Sequence, residues 1–159
     1  MNAETLAIYL REHGLAGEVV HLAEPTPTVE TAARAVGAAP ERIVKSVLFL
    51  AEGAPVLVVA NGLARVDYKR VADQLGITRK KLKLADAEPV LAMTGFPVGT
   101  VPPFGHKTRL RTLVDPGVLA VPEVYAGGGA PDALLRIAPA EIVRAAQAEI
   151  VTVRETPPA

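Results

Sequence analysis

The chain contains no cysteine. That single absence excludes disulfide staples, thiolate metal sites and a cysteine nucleophile. Its three histidines, His13, His21 and His106, are never spaced i, i+4, so the helical metal-ligand pattern is missing too and no metal centre is expected. Basic and acidic residues balance at 17 each, and no global charge points to nucleic acid. No apolar run is long enough to cross a bilayer, and Met1-Asn2-Ala3-Glu4-Thr5 lacks the basic start of a signal peptide. The expected location is therefore cytoplasmic, with no membrane partner. Missing as well are a nucleophile elbow, a spaced Ser/His/Asp set and paired carboxylates; no cofactor is expected.

What is present is a well-patterned globular chain. Its 159 residues fit one domain, 1–159, large enough to bury roughly two-thirds of its unfolded surface. The ending Thr156-Pro157-Pro158-Ala159 predicts a tail that frays from about residue 155. Ala3 to His13 carries Leu6, Ala7 and Leu10 at helical spacing, with Gly14 as the stop. Glu18 to Leu22 reads as a short strand, and Thr28 caps a helix over Val29 to Val36 closed by Gly37. Ile43 to Leu50 and Pro55 to Ala60, joined by Ala51-Glu52-Gly53-Ala54, predict a hairpin of two buried strands at the centre of a sheet. Asp67 is placed to cap a helix to Leu75, a basic strand over Lys81 to Leu84 follows, and Asp86 caps a helix through Met93. Strands are predicted over Arg109 to Val114, Glu123 to Ala126 and Ala133 to Ile137, and a last helix over Ala140 to Ala148. Because strands and helices do not alternate, the pattern disfavours a doubly wound parallel sheet. It predicts an α+β fold with a mixed, largely antiparallel, curved sheet flanked by helices.

Two features interrupt this pattern. Gly95-Phe96-Pro97-Val98-Gly99-Thr100-Val101-Pro102-Pro103-Phe104-Gly105 holds three glycines and three prolines in eleven residues. Glycine allows φ > 0 and bare backbone, while proline fixes φ and removes a donor; the result is a rigid loop with a few exposed N–H groups, or simply a tight connector. The second is Lys45, a lone cation in the apolar run Ile43 to Leu50. Burying a charge unpaired costs several kcal/mol, on the order of 2–7 even for a neutral polar group, so Lys45 must be paired, reach an edge, or await an anionic ligand. Gly127-Gly128-Gly129 could hold backbone against a ligand or form a flexible turn. Asp67 could orient a group in a pocket, although helix capping accounts for it. From Arg65 to Lys83 seven cations face only Asp67 and Asp73, an excess of five; this segment could track phosphates or be a solvated face.

Ile43-Val44-Lys45-Ser46-Val47 together with the Gly95, Gly99 and Pro102-Pro103-Phe104-Gly105 loop resembles the YbaK/EbsC family of aminoacyl-tRNA deacylases. That family includes the free-standing ProX proteins and the editing domain inserted in bacterial prolyl-tRNA synthetases. An aspartate in an Arg-Val-Asp context and a glycine-rich turn before the last strand extend the match from Thr28 to Ile142, while the double proline Pro102-Pro103 departs from it. The resemblance implies a compact α+β fold whose sheet curls into a barrel-like core. It implies a catalytic Lys45 and substrate contact by Ser46, Asp67, Gly99, Thr100, Val101, Pro102, Phe104, Gly105 and Gly128. Lys69, Arg70, Arg79, Lys80 and Lys81 are the candidate tRNA contacts. The implied activity is trans-editing: hydrolysis of tRNA mischarged with a small amino acid, for example cysteine or alanine on tRNA-Pro. Aminoacyl-tRNA is the expected partner, with a prolyl-tRNA synthetase as a second candidate and no DNA. The alternatives are a non-catalytic tRNA- or nucleotide-binding module and a regulatory protein on the same fold.

Overall fold

The computed structural model describes residues 1–156. Five α-helices and eight strands follow the chain as α1 Ala3–Glu12, β1 Gly17–His21, α2 Val29–Val36, β2 Val44–Ala51, β3 Ala54–Asn61, α3 Tyr68–Leu75, β4 Leu82–Leu84, α4 Ala87–Thr94, β5 Arg111–Val114, β6 Val124–Gly127, β7 Ala133–Ile137, α5 Pro139–Ala146 and β8 Glu149–Ile150. The fold is the expected α+β class. Short 3-10 turns sit at Pro40–Arg42, Arg79–Lys81 and Pro116–Ala120.

The strands form two sheets. One has the order β4-β2-β3-β5-β8 and the other β1-β7-β6. The β2–β3 hairpin is antiparallel with Lys45 opposite Ala60, β4 and the whole smaller sheet also pair antiparallel, and β3–β5 and β5–β8 are parallel. A bridge between Ile43 and Tyr125 joins the two sheets at the start of β2. The curl expected of one barrel-like sheet is thus made by two sheets meeting where Lys45 enters.

Strand alternation assigns the two faces of β2. Phe49 packs with Val56, Val58, Leu82, Leu113 and α3's Val71, and Val47 joins that layer. Val44 and Leu48 face the larger core, which holds Leu6 and Leu10 of α1, Phe96 and Phe104 of the loop, Ile142 of α5, and Val124, Ala126 and Leu135 of the smaller sheet. A third cluster places Ala32 and Ala33 of α2 on Ile43, Tyr125 and Leu134. Phe49, Phe96, Leu57 and Leu135 are essentially fully buried. Each such side chain contributes about 1.5–3 kcal/mol, which ties the loop as firmly to the core as any strand.

Helix ends follow their sequence signals. Asn2 and Thr28 form capping boxes with Thr5 and Thr31, Asp67 caps α3, and Gly37, Gly76 and Gly95 end α2, α3 and α4 in the left-handed region. Differences from the expected boundaries have local causes. α5 stops at Ala146 because Gln147 turns left-handed at φ 48. β5 begins at Arg111 because Lys107 and Thr108 donate their N–H groups to Thr94 and Met93 at the end of α4. Residues 155 and 156, expected to fray, are tied down: the Glu155 N–H donates to the Arg65 carbonyl at 2.7 Å and Arg70 donates to the Thr156 hydroxyl at 2.8 Å. The rest of the expected tail, residues 157–159, lies outside the described residues. No helix among the described residues is long and apolar enough to cross a membrane.

Candidate functional site

The site begins with the turn after β3. The Gly62 N–H donates to the Ile43 carbonyl at 2.7 Å, folding residues 61–65 back over the start of β2. A Cβ at Gly62 would stand 2.6 Å from Val29 and 3.3 Å from the Ile43 oxygen, so only glycine permits this approach. The fold-back brings two carbonyls to the lysine: Lys45 Nζ donates to the Ala64 oxygen at 2.6 Å and reaches the Gly62 oxygen at 3.4 Å. No carboxylate lies within ion-pair distance of Lys45 among the described residues. Half-burial pushes the Lys45 ammonium below the usual lysine range, and the neighbouring Arg65 charge pushes it the same way. A cation held by dipoles alone, destabilised by burial and a like charge, is poised to accept an anion or a developing negative charge.

Lys45 stands between two concavities. On one side a cavity of about 220 Å³ is lined by Thr26, Thr28, Val29, Ala32, Val44, Ser46, Gly99, Val101, Ala126, Gly127 and Leu134 among others. On the other, a cleft of about 550 Å³ is lined by Val47, Phe49, Arg65, Asp67, Tyr68, Lys69, Arg79, Leu84 and Glu155. Lys45 borders both.

The Gly/Pro loop supplies one wall of the smaller cavity. Gly99 adopts φ +86, a conformation other residues reach only with strain, and a Cβ there would meet open space. The Thr100 hydroxyl and N–H both donate to the Pro97 carbonyl, at 2.7 and 3.1 Å, closing the turn. The Thr100 carbonyl in turn accepts the Gly129 N–H at 2.9 Å. Val101 is buried, and no acceptor among the described residues takes the N–H of Gly99 or Val101. A buried N–H without an acceptor is uncommon in folded proteins, so that of Val101 marks a place where a ligand can supply one, while that of Gly99, on an exposed residue, is open to solvent or ligand. Further along, His106 Nε2 donates to the Pro102 carbonyl at 2.7 Å, which fixes the tautomer with the proton on that nitrogen, while burial pushes its pKa down.

The residues singled out in the sequence divide among several places. Lys45, Ser46, Gly99 and Val101 come together on the 220 Å³ cavity. Thr100 is buried and serves the loop's own turn. Pro102 anchors His106, while Phe104 and Gly105 turn away to a separate hollow beside Tyr9 and His106. Of the triple glycine, Gly127 rather than Gly128 lines the cavity: a Cβ on it would collide with the Val101 carbonyl, so its bareness lets the loop dock. Gly128 is instead pressed on the Ala133 backbone, where a Cβ would stand 2.5 Å from its carbonyl. Asp67 lies in the larger cleft, where its carboxylate accepts the Lys69 and Arg70 N–H groups at 3.0 and 3.2 Å. The Ser46 hydroxyl oxygen is buried without a partner.

The candidate tRNA contacts are equally uneven. Lys69 pairs with Asp73 at 2.9 Å, Arg70 with Asp67 at 3.4 Å, and Lys81 with Glu52 at 3.3 Å. These exposed pairs are worth about 0–1 kcal/mol and yield readily to a phosphate. Arg79 has no carboxylate partner and lies over the Tyr68 ring at 4.3 Å; Lys80 also has none among the described residues. Thr26, Thr28, Ala126 and Leu134 were not foreseen as lining. Their only signals were the Pro25-Thr26-Pro27 break and burial of the smaller sheet, neither of which carries chemistry.

Residues 23–145 fit the family model of the aminoacyl-tRNA editing domain. The chain is 27% identical over 143 residues to the uncharacterized protein YwhH of Bacillus subtilis, covering 89% of each. It is 34% identical over 94 residues to the proline–tRNA ligase of Nitratidesulfovibrio vulgaris, a match that takes in 57% of this chain and 16% of the ligase. Among solved structures, a candidate trans-editing enzyme for prolyl-tRNA synthetase superposes with a TM-score of 0.90 at 36% identity, covering 97% of both chains. The hypothetical protein APE2540 superposes with a TM-score of 0.87 at 32% identity over 95% of this chain and 99% of the other. The chain belongs to the aminoacyl-tRNA editing domain family.

Proposed function

We propose that the protein is a trans-editing deacylase that hydrolyses the ester of tRNA mischarged with a small amino acid, cysteine or alanine on tRNA-Pro being the first candidates. The observation that carries the reading is Lys45, a carbonyl-held ammonium at the mouth of a 220 Å³ cavity walled by bare loop backbone. That volume lies below the roughly 300–1,000 Å³ of ordinary small-molecule sites and suits an amino-acid side chain rather than a nucleotide.

In this reading the aminoacyl side chain enters between Val101, Ala126, Ala32 and Leu134, and the ester carbonyl stops at Lys45. Water adds to the carbonyl carbon and the oxygen gains negative charge. The Lys45 ammonium and the unengaged N–H groups of Gly99 and Val101 stabilise that charge. Collapse of the tetrahedral species breaks the bond to the ribose oxygen, which takes up the proton surrendered by water. No side-chain base stands beside Lys45 among the described residues, so in this reading the substrate's own amino and ribose hydroxyl groups orient the water. An aminoacyl ester is activated enough that orientation and charge stabilisation suffice. Chain selection follows from size: one extra methylene in an apolar pocket is worth about 1–3 kcal/mol.

The test is a deacylation panel of tRNA-Pro charged with alanine, cysteine, serine or proline. The expected result is turnover of one or more of the small mischarged species above the spontaneous rate, with prolyl-tRNA spared. Tight binding of the same tRNAs without turnover would instead establish a non-catalytic tRNA-binding module.

A further inference from the structure

The turn that holds Lys45 also walls a third concavity, to which Lys45 itself does not contribute. Its volume of about 600 Å³ falls within the range of small-molecule sites. The apolar part is made by Leu63, Ala64, Ala120 and Val121, and Leu63 stands half exposed there. Two polar groups in it lack partners. Asn61 Nδ2 donates to the Glu41 carbonyl at 2.8 Å, which fixes the amide's orientation and leaves its Oδ1 buried without a donor. The Arg154 guanidinium makes no hydrogen bond among the described residues. It stands 3.6 Å from Asp115, whose carboxylate is filled by the N–H groups of Gly117, Val153 and Arg154 at 2.8, 2.9 and 3.1 Å. These two groups converge: a Cβ on Gly117 would stand 2.6 Å from Asn61 Oδ1 and 3.1 Å from Arg154 Nη1, so the glycine keeps that corner open. Around it Arg65, Glu41 and Glu155 line the same groove with no ion-pair partner among the described residues.

Unclaimed charges of both signs beside an apolar wall call for a ligand that carries both charges and an aliphatic end. We propose that this groove binds a free α-amino acid with an aliphatic side chain. Arg154, half exposed and loosely paired, turns outward to the ligand carboxylate, with Arg65 at the rim, and so uncovers the Asn61 oxygen. The ligand ammonium donates to Asn61 Oδ1 and faces Glu41 and Glu155, and the side chain lies on Leu63, Ala120 and Val121. A simple carboxylate would leave the Asn61 oxygen and both glutamates unanswered, and a phosphate would meet as many carboxylates as cations. The groove is distinct from the 220 Å³ cavity, and its occupancy does not depend on the deacylase reading. It does bear on Lys45, because Ala64 both walls the groove and accepts the lysine's hydrogen bond.

The experiment follows backbone amide signals by NMR while the full chain is titrated with L-leucine. Two analogues run alongside it, 4-methylpentanoate, which lacks the ammonium, and 3-methylbutylamine, which lacks the carboxylate. Leucine should give saturable shifts at Leu63, Ala64, Gly117 and Ala120, with Gly99, Val101 and Ala126 unmoved. Each analogue should bind at least about tenfold more weakly, the scale of one lost charge-assisted hydrogen bond. Ala120→Trp fills the groove from an exposed position and should abolish the shifts at Leu63 and Gly117 while the melting temperature is retained. Arg154→Met provides the independent arm: it should weaken leucine by about tenfold or more and leave 3-methylbutylamine as in wild type. No saturable shift with about 10 mM leucine, where a millimolar site would be filled, overturns the proposal. Equal binding of 4-methylpentanoate overturns it too, since the groove would then read a carboxylate alone. Shifts at Gly99, Val101 and Ala126 in place of Leu63 and Gly117 would put the amino acid in the smaller cavity and overturn it as well.

Discussion

Around Gly99 the proposed site presents backbone, whereas along Arg65 to Lys83 it presents side chains. The first wall is made of Gly99, Val101 and Gly127, with no functional group except N–H donors, and it is fixed by Phe96 and Phe104 in the core and by the Gly129 to Thr100 hydrogen bond. The second is exposed, and three of its cations are shared with Asp73, Asp67 and Glu52. Backbone geometry is inherited from packing, so it discriminates by shape and tolerates little change. Exposed charge is screened over about 8–10 Å at ordinary salt and can be rearranged at small cost. In the proposed function this difference makes selection of the amino acid and capture of the nucleic acid separable, with Lys45 where they meet.

Among changes to the two walls, the largest expected effect comes from undocking the backbone one. Gly127→Val would force a Cβ into the Val101 carbonyl. Overpacking of this kind costs about 1–3 kcal/mol, so both the melting temperature and the rate of deacylation should fall, the rate by about 10² as the loop moves away. Gly99→Val provides the contrast: its Cβ meets open space but its φ of +86 is strained. Activity should be lost with a much smaller change in melting temperature. If Gly127→Val deacylates normally, the wall is not part of the site.

An intermediate effect concerns pH. Because burial and Arg65 lower the Lys45 pKa, the high-pH limb of deacylation, measured as kcat/KM above the spontaneous rate, should fall at a pH below the ordinary lysine value of 10.5. The sign for stability is opposite to that of a lysine gaining a partner. The folded state binds fewer protons than the unfolded state between the lowered pKa and 10.5, so stability should rise with pH through that window, and Lys45→Met should abolish the rise. Urea titrations of both proteins across that range measure it. A slope unchanged in Lys45→Met would show that the lysine is not destabilised by its surroundings.

The smallest effect should come from the exposed wall. Charge reversal of Lys80 and Lys81 together should raise KM with little change in kcat, since phosphate contacts hold ground and transition states alike. The salt dependence of tRNA affinity should become shallower by about one phosphate contact for each cation lost. A fall in kcat at constant KM would contradict the division between the two walls.

Much of this was legible in the sequence, and the parts that were not share a cause. Lys45 stood out because an apolar strand has no ordinary use for an ammonium, and the Gly95 to Gly105 loop because its composition suits neither helix nor strand. The hairpin, the caps and most strands followed from periodicity and punctuation. What could not be read was what folding brings together from afar. The carbonyls of Gly62 and Ala64 that hold Lys45 carry no side-chain signal. Ala126 and Leu134 line the cavity only because the smaller sheet docks at Ile43. β8, two residues long, exists by pairing with β5 rather than by propensity. The choice of Gly127 over Gly128 was likewise decided by which of two adjacent glycines faces the loop.

The most direct test of Lys45 as the charge-stabilising group is single-turnover deacylation of one mischarged tRNA by wild type and Lys45→Ala, with enzyme in excess so that binding does not limit the rate. Removing a preorganised donor of this kind should lower the rate by about 10² or more while the melting temperature is retained or raised. A correctly folded Lys45→Ala protein that cleaves the ester at the wild-type rate would contradict the account.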